Sequence, residues 1–576
     1  MLYWRRATLC FLPLLIALAG NALAGGGPRN VMVLFNEADP EAYETAQYYL
    51  KARAIAPNQL CAIKGVEPEQ VEIELSSFSL LFQERIADCL ATLNDASRID
   101  YLVVIRGLPY RVKIPAGYTT SLSAMLQVSG TTRIADNAPL VGQAQLKTQS
   151  GVYSPSVENP LYQKHWGSAG GFELKNPTAS MYTASLRIAN ATSQPPSFHR
   201  LDAPDANGYR FSNQLFIVTR LDGFDHGDAR ALVDRALLAE ELKPDAAITC
   251  MAAADEARGA RDPECHYVSG LLSAAGISSQ FILEHDAGLT GQPLSSYLTG
   301  AANLKGAIDG NTYQPGAYVD NLTSFGAAPE NFFCSADASA CPQNENQTSI
   351  ARFVRAGATI VHGTANEPLN LCFPNAGMLL LYTMGYNVAE SVFFNQRFLY
   401  WQNILIGDPL TSPWARRPTV TVLPDNSDDR PSSATVSAEH PDGVIHLAVY
   451  LNNQFVGQTT GSPLVIEIPA MGNVELLAVA TARNVSVSRA GWPQPKQVPQ
   501  ADVQGWTQLL IEKAEESVEA PTVVEGDSPQ AVEVENEKQG SGGCHQGRPP
   551  AGQGALFLCL LLGLILIRVS GRARRC

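Results

Sequence analysis

The chain has 576 residues, of which 45% are hydrophobic and 17% are charged, and its formal net charge is −14. A chain of this length and apolar content can bury at least one large core, which excludes fibrous and wholly disordered classes. The acidic balance and the lack of a basic stripe interleaved with aromatic residues exclude nucleic acid as a predicted partner.

The N-terminus has the layout of a secretory leader. Arg5 and Arg6 precede an apolar stretch at 9–19, and residues 22–24 supply the small side chains that a signal peptidase needs. We therefore expect residues 1–24 to be a signal peptide that is removed on export. The alternative is an uncleaved anchor, but this apolar stretch is short against the roughly 20 residues that span a bilayer.

Residues 25–415 are predicted to form an α/β domain with a mainly parallel sheet and helices on both faces. Short apolar runs alternate with amphipathic stretches, which is typical of strands connected by helices. The stretch 115–213 is rich in Gly, Ser, Asn and Pro and has weak periodicity, so we predict a loop-rich insertion there. The apolar runs interpreted as strands are 31–35, 101–105, 216–218, 246–248, 281–283, 317–319 and 359–361.

Ligands of α/β sheets bind beyond the carboxyl ends of strands, so the residues that follow these runs are the candidates for chemistry. Asp222, Asp225 and Asp228 follow one run within seven residues, together with His226. Clustered carboxylates suit a hard cation, and calcium is the candidate cofactor. The alternative is structural, with Asp225 or Asp228 capping the next helix and Asp222 holding the turn.

A His-Gly pair begins at His362, directly after another apolar run, and Glu367 follows shortly. Asp222, His362 and Glu367 are therefore the candidate catalytic residues of a hydrolase. The His-Gly pair resembles that of caspase-like and gingipain-like cysteine peptidases, which place a nucleophilic Cys after the following strand. Here the nearest thiol is Cys372, without a clear strand between. The alternative is a buried histidine with a structural role.

Cysteine usage is typical of an oxidising compartment. Spacing predicts three disulfides and leaves Cys372 as the odd residue, although other connectivities stay open. No C-x-x-C or His-rich spacing indicates a transition-metal site. The predicted pairs are Cys61 with Cys89, Cys250 with Cys265, and Cys334 with Cys341.

The remaining chain changes character twice. Residues 416–492 alternate apolar and polar positions between closely spaced turns, which predicts an immunoglobulin-like β-sandwich acting as a spacer or a binding module. Residues 493–553 are predicted to be an acidic disordered linker. Between residues 512 and 538 the chain has nine acidic residues, only two lysines and no aromatic residue.

The C-terminus has the layout of a membrane anchor. An apolar transmembrane or sorting helix is predicted at 554–570, and the basic tail 571–576 favours the anionic cytoplasmic face, so everything before the helix is expected outside. With Gly543 and Cys544 upstream, the region resembles the tripartite C-terminal sorting signals of bacterial surface proteins, above all the Myxococcus-type Cys-containing class. That resemblance implies a membrane protease as a partner and attachment through Cys544. A plain single-pass tail is the alternative.

An ordered series of blocks resembles a widespread family of uncharacterised exported bacterial proteins, which has no assigned activity. The closing blocks also resemble gingipain-type peptidase domains, and this implies that Phe325 stands where those enzymes have their nucleophilic Cys. The blocks are Asn36, Tyr48-Tyr49 with Arg53, Ile55, Pro57 and Asn58, then 101–109, 219–223, 315–317, 323–326, 367–368 and 407–410.

Two functions remain as expectations. The first is an exported, surface-anchored protein that binds or assembles with an envelope or extracellular ligand without turnover. The second is a hydrolase, a degenerate relative of the caspase-like and gingipain-like peptidases.

Overall fold

A computed structural model describes the chain between residues 26 and 512. Within that range it leaves out 69, 95, 97–98, 115–117, 130–143, 148–152, 160–161, 163–165, 168–170, 173–215, 284–288, 305–307, 330–346, 368, 400, 426–429, 462, 471 and 484–501. The predicted leader, the predicted pair Cys334 and Cys341, most of the predicted linker, Gly543, Cys544, the predicted C-terminal helix and the basic tail therefore lie outside the described residues. Within the described ranges, no helix has the length and apolar character needed to span a bilayer.

Ten strands form the central sheet of the α/β domain. They are β1 (Val31–Asn36), β2 (Leu60–Ile63), β3 (Tyr101–Ile105), β4 (Ile217–Leu221), β5 (Ala247–Met251), β6 (Ser279–Ile282), β7 (Pro293–Thr299), β8 (Thr312–Asn321), β9 (Ile360–Thr364) and β10 (Asn403–Ile406). Their order across the sheet is β6-β5-β7-β8-β9-β10-β4-β3-β1-β2.

The sheet is mostly parallel but consists of two halves that run in opposite directions. Strands β5 to β9 are parallel to one another, and β10 is parallel to β4, β3, β1 and β2. The two halves meet where β9 pairs with β10 antiparallel, with His362 opposite Leu405. The carboxyl ends of the strands in one half consequently lie beside the amino ends of the strands in the other half, so residues that follow β9 and residues that follow β4 lie at opposite ends of the strands.

Helices cover both faces of this sheet, as predicted. Successive side chains of a strand point to opposite faces of a sheet. In β8, Val319 belongs to the apolar cluster on one face and Tyr318 to the apolar cluster on the other. The helices are α1 (Pro40–Arg53), α2 (Leu75–Phe78), α3 (Arg85–Ala91), α4 (Leu122–Gln127), α5 (His226–Glu241), α6 (Asp262–Ala274), α7 (Ile350–Arg355), α8 (Met378–Thr383) and α9 (Val388–Asn395), and Ser79–Glu84 is a π-helical segment between α2 and α3.

Part of the predicted insertion belongs to the core. The strand Tyr118–Ser121 pairs with Arg111–Ile114, and α4 follows with Met125 and Leu126 fully buried. Ser121 caps α4 by accepting a hydrogen bond from the Ala124 amide. Further along, small antiparallel sheets contain Ala144–Lys147, Tyr153–Glu158, Phe398–Leu399, Trp166–Gly167 and Gly171–Phe172.

Seven strands after residue 418 form two antiparallel sheets around one apolar core. One sheet has the order β11-β12-β15 and the other β14-β13-β16-β17. The strands are β11 (Thr419–Pro424), β12 (Ser433–Glu439), β13 (Val444–Leu451), β14 (Gln454–Thr459), β15 (Leu464–Glu467), β16 (Val474–Arg483) and β17 (Asp502–Ile511). The predicted end of the sandwich at 492 is wrong, because β17 pairs with β16 along its whole length inside the stretch assigned to the linker.

The sandwich packs directly against the α/β domain through arginine side chains. The Arg29 guanidinium lies 3.4 Å from the centroid of the Tyr450 ring and donates a 2.5 Å hydrogen bond to Asn453. On the other side, Arg417 donates to the Gln504 carbonyl at 2.6 Å and forms an ion pair with Glu240 at 3.3 Å. These contacts attach the sandwich to the α/β domain. A spacer that moved independently of the domain would lack them.

The predicted disulfides meet different outcomes. Cys61 and Cys89 are bonded and join β2 to α3, which confirms that pair. Cys250 and Cys265 are wrong as a disulfide, since both are buried free thiols, although they lie in contact across β5 and α6. Their hydrogen bond, together with burial, raises the pKa of the Cys265 thiol well above its ordinary value.

Candidate functional site

Asp222 lies directly after β4 in a fully buried cluster of charged and aromatic side chains. Its Oδ1 accepts hydrogen bonds from Arg106 at 3.0 Å, Tyr110 at 3.1 Å and the Gly223 amide at 2.9 Å. Its Oδ2 accepts from Arg220 Nε at 3.0 Å and Arg220 Nη2 at 2.9 Å. Five donors use the lone pairs of this carboxylate, so none is available to take a proton from a substrate or to bind a cation.

The charge of Asp222 is also stabilised where it stands. Burial opposes ionisation, but the guanidinium groups of Arg220 and Arg106 outweigh it and lower the pKa of the Asp222 carboxyl below its usual value. This carboxylate, with five hydrogen-bond donors around it, holds β3 to β4 by joining Arg106 to Arg220. This geometry is that of a structural ion cluster.

Asp225 and Asp228 are helix-terminal residues. Asp225 Oδ1 accepts the Asp228 amide at 2.9 Å, which is the capping hydrogen bond of α5, and Asp228 Oδ2 accepts the Phe224 amide at 2.9 Å. Both carboxylates also bind Arg355, at 2.7 Å and 2.6 Å. Over the part of the chain that the structure covers, no group of three His, Cys, Asp or Glu side chains is arranged to hold a metal ion.

His362 belongs to a second buried polar chain, on β8 and β9. Arg261 Nη1 lies 2.7 Å from Asp320 Oδ2, and Asp320 Oδ1 lies 3.4 Å from His362 Nδ1 on the neighbouring strand. On its other side, His362 Nε2 lies 3.3 Å from Asn403 Oδ1. Only 1% of His362 and 1% of Asp320 is exposed, so a substrate has no direct approach to this imidazole.

The hydrogen bonds of Asn403 determine what His362 can do. The Asn403 Nδ2 group donates to the Cys372 carbonyl at 2.8 Å, which turns the Asn403 Oδ1 atom toward His362. The His362 Nε2 atom therefore carries a proton and donates it, while Nδ1 faces the Asp320 carboxylate. Both ring nitrogens of His362 face buried protein side chains, at 3.3 Å and 3.4 Å, so neither is presented to a substrate in this arrangement.

Cys372 is not placed as a nucleophile either. Its side chain is fully buried, and burial raises the pKa of the thiol far above its ordinary value. We expect Cys250, Cys265 and Cys372 to resist N-ethylmaleimide in the folded protein and to react after unfolding in urea, as read by peptide mass spectrometry. Rapid native labelling of Cys372 would show that this thiol is accessible and ionisable.

Glu367, the third predicted catalytic residue, is exposed and has a partner that sequence reasoning missed. The Ser324 hydroxyl donates to Glu367 Oε1 at 2.8 Å. Phe325, which follows Ser324, has a left-handed backbone conformation with φ 57°, and residues other than glycine seldom adopt it. Ser324 and Glu367 thus join the turns that follow β8 and β9.

The structure does not bring the three predicted catalytic residues together. His362 lies inside β9 and Glu367 in the turn after it, whereas Asp222 follows β4, which is separated from β9 by β10 and runs in the opposite direction. The functional reading of the sequence also missed Arg261 and Asp320. Asp320 stands inside a strand and its partner lies 59 residues away, so no local spacing links them.

Glu264 lies near Arg261 and is partly buried, and the pKa of its carboxyl group is raised. Its Oε2 atom accepts the Ala376 amide at 3.2 Å, yet burial dominates and raises the pKa of the Glu264 carboxyl to about 7. The folded state therefore binds this proton more tightly than the unfolded state. Its contribution to stability is full below pH ~4.5 and is lost as the pH rises through about 7.

The Glu264→Gln variant is expected to remove that pH dependence, because a neutral amide replaces the titrating carboxyl. The urea unfolding free energy of the wild type should fall by on the order of 1–3 kcal/mol between pH 5 and pH 8 relative to the variant. Parallel curves for the two proteins across this range would show that the pKa of Glu264 is not raised.

Comparison with known proteins adds little to this site. No family model matches the chain. No curated protein matches it either. A solved structure described as "Structure of Protease" aligns over 84% of this chain and 98% of that chain, with 11% identity and a TM-score of 0.38. A similarity at this level carries no inference about activity, so the predicted family and the predicted sorting signal stay predictions.

Proposed function

We propose that this protein is exported, anchored in the cell envelope through its C-terminus, and binds or assembles with an envelope or extracellular ligand without turnover. The observation that carries the proposal is that Asp222 and His362 lie in two separate buried side-chain clusters, with β10 between their strands. A hydrolase that used both groups would need them in one cleft, within hydrogen-bond reach of the same substrate.

The contacts of Asp222 and of His362 support the same proposal. Asp222 is neutralised by Arg106 and Arg220, and His362 donates at Nε2 while it faces Asp320 at Nδ1. These interactions stabilise the fold and hold the two side chains in separate buried clusters. The Cys61–Cys89 disulfide supports export, because such bonds persist in oxidising compartments and are rare in the cytosol.

A hydrolase remains the second candidate because of one contact. Glu367 is exposed and accepts the Ser324 hydroxyl proton in a 2.8 Å hydrogen bond, next to the left-handed Phe325. A carboxylate paired with a serine hydroxyl in a turn is a minimal arrangement for nucleophilic chemistry. It would be independent of Asp222.

Active-site probes separate the two candidates. The full-length protein, purified from envelopes, is treated with a fluorophosphonate for serine and an epoxide for cysteine, alongside Ser324→Ala and His362→Asn variants. Binding without turnover predicts no specific label and no peptide or ester hydrolysis above that of the variants. Labelling that the Ser324→Ala variant abolishes would establish the hydrolase and end the proposal.

A further inference from the structure

A small cavity lies at the seam where the two halves of the central sheet meet. Its walls come from α4, β4, β9, α9 and β10, and they are apolar except for five side chains. The cavity has room for about one water-sized molecule. The polar side chains are Ser123, Gln127, His362, Gln396 and Asn403.

Two oxygen atoms at this cavity have no hydrogen-bond partner among the described residues. They are Ser123 Oγ and Gln127 Oε1, and their side chains belong to residues that are 3% and 6% exposed. Burying such an oxygen without a partner is costly, and buried polar groups in proteins are nearly always hydrogen-bonded to protein or water. The two residues stand four apart on α4, so they project from the same helix face one turn apart.

The other polar groups of the cavity have protein contacts, and for His362 Nδ1 that contact is the 3.4 Å approach to Asp320 Oδ1 without a hydrogen bond. Gln396 Nε2 donates to the Phe398 carbonyl at 2.8 Å, and Asn403 binds the Cys372 carbonyl and His362. The open positions on α4 are therefore an acceptor on Gln127 and a hydroxyl on Ser123. A molecule that bridges them must donate to Gln127 Oε1 and must accept from or donate to Ser123 Oγ.

We propose that this cavity is a binding site for one water molecule that bridges Ser123 and Gln127 and ties α4 to the antiparallel seam. Water has the size of the cavity and can donate and accept at once, and buried waters in proteins satisfy otherwise unpaired groups of this kind. The site is separate from the Ser324–Glu367 pair and does not depend on the proposed function.

The proposal is tested by the melting temperatures of Ser123→Ala, Gln127→Met and the double variant. The informative result is whether each melting temperature falls or rises relative to the wild type. If one water bridges the two oxygens, each single variant loses its hydrogen bond and melts at a lower temperature. The double variant then loses no more than the larger single loss, because both substitutions remove the same molecule. Alanine favours a helix more than serine does, so any loss for Ser123→Ala understates the effect.

Two other outcomes would overturn the proposal. If the oxygens are unpaired, removing them relieves a burial cost and both single variants melt at higher temperatures. If the losses simply add, the oxygens have separate partners. Gln396→Met is the matched control, since its amide is bound directly to a carbonyl and its loss lowers the melting temperature in every case. Should a variant not fold, a crystal structure of the wild type that shows ordered waters decides: density bonded to both oxygens supports the site, and its absence refutes it.

Discussion

The Asp222→Asn variant is expected to lower the free energy of unfolding by about 3–5 kcal/mol, which is the usual effect of removing one partner from a buried ion cluster. Arg220 has no exposed surface, and Asp222 is its carboxylate partner within the described cluster. The neutral amide leaves the Arg220 and Arg106 charges without compensation. Urea unfolding followed by circular dichroism measures the loss.

Asp225→Asn is the control for that variant. Asparagine caps helices as well as aspartate does, and the Asp225 side chain is 59% exposed, so its ion pair with Arg355 contributes little. We expect a change within about 1 kcal/mol. If Asp222→Asn were as stable as Asp225→Asn, the structural role assigned to Asp222 would be wrong, and a role in chemistry would become the better account of its position.

The Asp320→Asn variant is the second large expected effect. Burial opposes ionisation of Asp320, but Arg261 and then His362 outweigh it and lower its pKa to about 2. The ionised carboxylate therefore adds stability that is complete above pH ~4 and is lost as the pH falls through about 2. At pH 7 we expect the variant to lose about 3–5 kcal/mol, because Arg261 keeps a buried charge without its partner.

Two further measurements check the cause of that loss. The difference between wild type and Asp320→Asn should narrow between pH 4 and pH 2, where the wild-type carboxyl takes up its proton. The double variant Arg261→Met with Asp320→Asn removes both charges and should be more stable than Asp320→Asn alone. A double variant that is less stable than the single one would mean that Arg261 has another buried partner of similar importance.

The sequence predicted the mainly parallel α/β sheet because most of its strands are short, uniformly apolar runs. Strand β7 was missed for a physical reason: Ser295 and Ser296 are polar but buried. The Ser295 hydroxyl donates to the Ala246 carbonyl at 2.7 Å, and that of Ser296 to the Ser295 carbonyl at 2.6 Å. One tertiary and one local hydrogen bond satisfy these hydroxyls inside a buried strand, and the polar residue types hide the strand from a search for apolar runs.

The antiparallel seam explains why the candidate site could not be assembled from the sequence. Strand ends look alike along the chain, so Asp222 after β4 and His362 on β9 seemed equivalent. Strand β10 lies between those two strands and is antiparallel to β9, so the residues that follow β9 and β4 lie at opposite ends of the strands, and His362 itself lies inside β9. The capping alternative for Asp225 was correct because a cap is a local interaction, visible within four residues of sequence.

The boundary of the sandwich was misplaced for a related reason. Strand β17 follows the undescribed stretch 484–501, and its apolar residues, Val503, Trp506 and 509–511, do not alternate regularly with polar ones. Pairing with all ten residues of β16 stabilises it where its own pattern is a weak signal. Long-range pairing of this kind is outside what a local window can detect.

The central claim is that the folded part works outside the cytosol. It is tested most directly by treating intact cells with an external protease and measuring the thiol state of Cys61 and Cys89 in the same protein. Alkylation in acid-quenched samples, read by mass spectrometry, should find these two cysteines bonded and the folded part cleaved from outside. Protein that is protected from the protease, keeps its first 24 residues and carries both cysteines as free thiols would contradict the account.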